Sequence, residues 1–83
     1  MKKLVFEDRA KGDLTKLDRA TQVRIAAAIQ RLAAVDEGKV KRLQGIDPPE
    51  YRLRVGDWRV RFSRPDTETV RINRVLHRKD AYR

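Results

Sequence analysis

The stretch from Glu50 to Arg64, EYRLRVGDWRVRFSR, constrains the fold more than any other part of the chain. Apolar and aromatic residues recur at every second position, Tyr51-Leu53-Val55 and Trp58-Val60-Phe62, on either side of Gly56-Asp57. A period of two marks β-strands, whose successive side chains point to opposite faces. Glycine followed by a small polar residue suits a two-residue II′ turn, because glycine accepts the positive φ at the first central position. The stretch therefore predicts a β-hairpin. Its turn fixes the register, with Val55 opposite Trp58, Leu53 opposite Val60 and Tyr51 opposite Phe62. One face is wholly apolar or aromatic. The other carries Arg52, Arg54, Arg59 and Arg61, with Arg54 across from Arg59 and Arg52 across from Arg61.

Like charges directly across a ladder are destabilising, so this second face needs a reason. Four guanidinium groups on one surface fit a polyanion, because each planar fork matches phosphate oxygens, often two at a time. A solvated face of a basic protein is the bland alternative. The whole chain leans the same way, with 21 Lys+Arg against 12 Asp+Glu and a formal charge of +9. Such a charge points to an acidic partner: nucleic acid, an acidic protein or an anionic membrane. The membrane reading is weak, because the aromatics sit in the strands and not along a basic amphipathic helix. The absence of cysteine excludes disulfides and thiolate metal sites, and a single histidine excludes a histidine-rich one. No apolar run approaches the roughly 20 residues needed to span a bilayer. The start, MKKLVFEDRA, does not read as a signal peptide. At 83 residues the chain is expected to form one domain, residues 1–83, and to work in the cytoplasm.

Around the hairpin, the remaining segments fall into order. KKLVF (2–6) is a short candidate strand. Ala10, Leu14 and Leu17 then lie at i, i+4 and i+7, one face of a helix over Glu7–Leu17. Asp18 is a plausible N-cap for a second helix, about Arg19–Val35, with Ile25, Ala28, Ile29, Leu32 and Val35 in one stripe and Gly38 as its stop signal. The short link makes the two an αα-hairpin. Val40–Pro49 reads as a connector, and its neighbourhood's Lys39, Lys41 and Arg42 as solvated loop residues. The last strand is Thr69–Leu76, TVRINRVL. Val70, Ile72 and Leu76 share one parity, but so does Arg74, a conflict that a bulge or a local exit from the core would resolve. The expected fold is α+β, β-α-α-β-β-β. It is a small, mostly antiparallel sheet, its first strand added in parallel, with the αα-hairpin on one face and the arginines on the open one.

This pattern resembles the RelE/ParE superfamily of toxin–antitoxin toxins. The likeness covers essentially the whole chain. Its specific parts are KRLQGIDPPEYRLRVGDWRVRF and the ending RVLHRKDAY. RelE-like members are metal-independent endoribonucleases that cleave mRNA, typically in the ribosomal A site. The resemblance implies attack of the ribose 2′-hydroxyl on the adjacent phosphate, giving a 2′,3′-cyclic phosphate and a 5′-hydroxyl. It implies Arg59 at the phosphoryl oxygens and Arg78 near the leaving oxygen. Arg52, Arg54 and Arg61 would hold flanking phosphates, with Lys79 beside them, and Tyr82 would stack on a base or orient a ribose hydroxyl. The first-strand basic pair is often lysine in the family and is arginine here. Because arginine does not usefully give up a proton, His77 and Tyr82 are the foremost proton-transfer candidates, with Glu50, Asp57 and Asp80 behind them. A lone histidine at a strand end equally suits a structural place, and Lys79 equally suits terminal solubilising charge. The implied partners are mRNA, the 70S ribosome and a cognate antitoxin with an acidic segment; no cofactor, metal or membrane is implied. Two other readings share the fold: a ParE-like inhibitor of DNA gyrase without nuclease chemistry, and a non-catalytic RNA- or ribosome-binding module.

Overall fold

The computed structural model describes residues 1–81. Its elements are β1 (Lys3–Phe6), α1 (Asp8–Thr15), α2 (Arg19–Val35), β2 (Lys39–Arg42), β3 (Tyr51–Val55), β4 (Trp58–Asp66) and β5 (Thr69–His77). The hairpin β3–β4 forms in the register its turn dictates, from Val55 opposite Trp58 to Tyr51 opposite Phe62. Gly56 has φ 59°, whereas Asp57 is not among the positive-φ residues. That combination is the one a II′ turn requires. The five strands form one sheet in the order β1-β5-β4-β3-β2, with β1 parallel to β5 and the other pairs antiparallel. The αα-hairpin and α+β class are as expected. The connector reading is corrected in one respect: β2 is a strand paired with β3.

Both helices lay their apolar stripes on one face of the sheet. Ala10 of α1 and Ile25, Ile29 and Leu32 of α2 meet Leu53, Val60, Phe62, Val70 and Ile72, all at most 1% exposed. Asp18 caps α2, its Oδ1 accepting from the Thr21 N–H at 2.9 Å. The stop falls earlier than Gly38. Asp36 adopts the left-handed conformation (φ 56°), and its N–H donates to the Leu32 carbonyl at 3.0 Å. Aspartate tolerates this region, and its carboxylate accepts from Arg64 Nη2 at 2.9 Å. The Arg64 guanidinium in turn covers the Phe62 ring at 5.4 Å. Gly38 is needed for a different reason: a Cβ there would stand 2.6 Å from Leu53 Cδ1.

A bulge resolves the Arg74 conflict. Phe62 pairs with Ile72 but Arg61 pairs with Arg74, so Asn73 is the extra residue. One extra residue inverts the parity of everything after it. Val75 therefore enters the core at 3% exposure, Arg74 joins Arg61 on the open face, and Leu76 leaves the core parity. The edge of β5 also changes partner here. β1 covers it only to Ile72, and beyond that α1 takes over. Asp13 supplies what a strand would have supplied. Its Oδ2 accepts from the Val75 N–H at 2.9 Å and from Arg74 Nε at 2.8 Å, and its Oδ1 from Arg74 Nη2 at 3.1 Å. Glu7 pairs with Arg71 at 3.4 Å.

Burial by itself would raise the Asp13 carboxyl, but the bonds from Arg74 and the Val75 N–H, and the charges of Arg74 and Lys16, hold it below its ordinary 3.8. A group whose folded value is depressed stabilises the fold above its unfolded value and loses that contribution as pH falls through the folded one. Asp13→Asn is therefore expected to cost about 1–3 kcal/mol at neutral pH, several degrees in Tm. In thermal melts at a series of pH values the gap to wild type should be constant at neutral pH and close in acid below pH 3.8. A gap independent of pH would show that the carboxylate's charge contributes nothing.

Candidate functional site

Residues directly opposite each other in a ladder point to the same face. The observed registers therefore build two rows of side chains across the sheet face that the helices leave open. One row is Lys41, Arg52, Arg61 and Arg74. The next is Lys39, Arg54, Arg59 and Leu76. The arginine face predicted from the hairpin is thus real, and it is wider than the hairpin. Reading Lys39 and Lys41 as loop residues missed them. The one available signal was the alternation Lys39-Val40-Lys41, too short to separate a four-residue edge strand from a basic loop.

Adjacent strands are about 4.8 Å apart, and two unit charges at that distance repel by about 1 kcal/mol even in bulk water. The face manages this repulsion unevenly. Glu50 immediately precedes β3 on the parity of Arg52. Its Oε2 accepts from Arg61 Nη2 at 2.6 Å and its Oε1 from Asn73 Nδ2 at 2.9 Å. Asp13 holds Arg74, and its hydrogen bond and charge raise the pKa of that guanidinium. Arg59 folds back on its own turn, with Nη1 donating to the Gly56 carbonyl at 2.8 Å and the Trp58 carbonyl at 3.0 Å. It is only 6% exposed, and its Nε is buried without a hydrogen-bond partner among the described residues.

Arg78 converges on the same turn. Its N–H donates to the Asp57 carbonyl at 2.7 Å, and its Nε lies 3.7 Å from the Asp57 carboxylate. The structure therefore brings Arg59 and Arg78 together at Gly56-Asp57, with Arg54 opposite Arg59, and Arg52 and Arg61 one row away. Lys79 is exposed, and its N–H donates to His77 Nδ1 at 3.3 Å. His77 is not brought to the arginines. It pairs with Trp58, on the helix-bearing parity, and the two rings meet edge to face at 5.3 Å. Tyr51 stacks on Phe62 at 5.4 Å, a packing role. Tyr82 lies outside the described residues.

Residues 4–82 match the model of the ParE toxin of type II toxin–antitoxin systems, parDE. The chain belongs to this toxin family. The fold agrees. The toxin aligns with the RelB-RelE antitoxin-toxin complex from Methanococcus jannaschii at 26% identity, over 94% of each chain, with a TM-score of 0.76. It aligns with the archaeal RelE-RelB complex from Pyrococcus horikoshii OT3 at 21% identity and TM-score 0.73, over 96% of this chain and 98% of that one. The intact Escherichia coli RelBE complex aligns at 18% identity and TM-score 0.70, over 93% and 96%. No curated protein matches the toxin in sequence. Among its described residues no helix is long and apolar enough to cross a membrane.

Glu50 is the acid set among these cations, so removing its charge has two opposite expected effects. Glu50→Gln should cost about 1–2 kcal/mol by weakening the bond to Arg61, seen as a lower Tm. It should also elute from a heparin column at higher salt than wild type, because Arg61 is no longer compensated. Unchanged elution would mean that Glu50 does not screen this face.

Proposed function

We propose that this toxin is a metal-independent endoribonuclease that cleaves mRNA, with the basic sheet face as its RNA site. The observation that carries the reading is the convergence of Arg59 and Arg78 on one turn, beside the rows of cations on β2, β3 and β4. RNA transesterification needs the 2′-oxygen in line with the leaving 5′-oxygen, charge to meet the growing phosphoryl anion, and a route for two protons. Positioning and preorganised charge supply most of such a barrier reduction. Arg59 meets the phosphoryl oxygens, Arg78 acts near the leaving oxygen, and Arg52, Arg54 and Arg61 hold flanking phosphates, with Lys79 at the rim. Tyr82 stacks on a base or orients a ribose hydroxyl. For proton transfer, His77 would have to act from the other side of the sheet, whereas Glu50 already lies among the arginines.

The solved neighbours are toxins bound to RelB antitoxins. That likeness supports an antitoxin as this toxin's partner; the open face's charge suits an acidic antitoxin segment, and the resemblance to RelE-like members implies the 70S ribosome in the cytoplasm as its place of action. The match to a ParE model favours a second reading, inhibition of DNA gyrase without cleavage.

Primer extension on a reporter mRNA in a translating extract separates the readings. Wild type should give discrete cuts at codons. Arg59→Ala should weaken them by about 100-fold or more, the usual cost of one transition-state charge contact. Arrest of growth without cuts, together with inhibited supercoiling by purified gyrase, would replace the ribonuclease reading with the second one.

A further inference from the structure

The cations of the open face divide into two groups. Those toward β5 and α1 are compensated: Arg61 by Glu50, Arg74 by Asp13 and Arg71 by Glu7. A depression of ≈ 550 Å³ opens there, and its lining mixes Glu7, Asp8 and Glu50 with Arg9, Arg61 and Arg74. Such a surface offers a polyanion little net charge. The opposite margin differs. Lys39, Lys41 and Arg54 make no ion pair or hydrogen bond by their side chains among the described residues, and all three are exposed.

Register puts these free cations in line with the turn. Lys39 lies opposite Arg54, which lies opposite Arg59, and Lys41 lies opposite Arg52. Along β2 the two lysines are two residues apart, about 6.8 Å, and both point to the open face, while Val40 between them pairs with Leu53 on the other. Edge strands often carry lysine simply to discourage pairing with another chain. That device needs charge at the edge. It does not need both charges turned to one face and continuous with arginines.

We infer that β2 is part of the RNA site. From the Arg59–Arg78 turn, the single-stranded RNA backbone runs across Arg54 to the free edge of the sheet, where Lys39 and Lys41 each hold a phosphate. It does not run on past Arg61 over β5, where Arg71 and Arg74 are compensated. The inference rests on the ribonuclease reading for the identity of the ligand and on the registers for its path.

Binding of a fluorescent oligoribonucleotide, blocked at the 2′-position so that it is not cut, tests this by anisotropy over a series of salt concentrations. The protein is the full chain, compared with Lys39→Gln/Lys41→Gln and with Lys11→Gln/Arg19→Gln, a pair on the helices that removes the same charge. Each phosphate contact on a single strand contributes about 0.7 to the slope of log affinity against log salt. The β2 variant should therefore lose about 1.4 from that slope and bind several-fold more weakly at low salt, with the helix variant close to wild type. Equal slopes in both variants, or equal losses, would overturn the assignment. Cleavage of unblocked reporter mRNA by the same proteins is read separately. A wild type that cuts while β2 leaves the slope unmoved refutes the path and keeps the ribonuclease. A wild type that binds with the expected slopes and never cuts keeps the path and refutes the ribonuclease. A wild type that does not bind RNA refutes both.

Discussion

The two-residue turn at Gly56-Asp57 is the constraint on which the rest depends. Fixing Val55 opposite Trp58 fixes every later pair of β3 and β4, and with them which side of the sheet is greasy and which is charged. A slip of one residue would put Phe62 and Leu53, both buried to 1% or less, in water and four arginines in the core. No such alternative is tolerable, so the register is unusually well specified for so small a protein. The same turn then serves twice. Its carbonyls receive Arg59 and the backbone of Arg78, so the loop that sets the fold also sets the spacing of the two arginines proposed for chemistry.

Concentrating cations on one face has a cost that the fold meets at its margins. A single pair across a ladder repels by about 1 kcal/mol at high dielectric, a serious sum against the 5–15 kcal/mol typical of a whole domain. Glu50, Asp13 and Glu7 each stand next to the face and take one arginine. They come from the loop before β3, from α1 and from the β1–α1 junction, so distant parts of the chain compensate one surface. Compensation is local, however, and it leaves β2 and its neighbour Arg54 bare. An anionic partner that binds only the folded state would add stability by mass action, which gives an acidic antitoxin segment a thermodynamic reason to suit this toxin.

Much of this was legible in the chain. The hairpin, its register, the split of arginines from aromatics, the cap at Asp18 and the parallel addition of β1 all follow from local rules of period, turn and cap. What was not legible depended on contacts across the sequence. Asn73 carries no mark of a bulge, and the bulge forms because Val75 gains a buried place and Arg74 gains Asp13, a partner 61 residues away. Glu7 takes Arg71. β2 is only four residues long and buries none of them, so its own sequence cannot specify it. It is a strand because the bare edge of β3 offers it hydrogen bonds. Among the candidate residues, the arginines of β3 and β4 were placed correctly by parity alone. His77 stands on the helix-bearing face, because the bulge that precedes it inverts the parity of the strand's end.

Arg59 shows why a guanidinium that looks spent can still be useful. Freezing an arginine side chain costs up to about 2 kcal/mol in rotamer entropy, and an exposed arginine must meet that cost each time it grips a phosphate. Arg59 has met it on folding, through two bonds from Nη1 to the turn carbonyls and near-complete burial. The guanidinium is thereby fixed in a place where water competes weakly and charge acts strongly. The neighbouring Arg54 is exposed and makes no ion pair among the described residues, which suits it to holding a flexible backbone at some entropic cost. One strand pair thus presents a buried, anchored cation opposite an exposed one, a division of labour suited to the proposed site, where one phosphate must be aligned and its neighbours only retained.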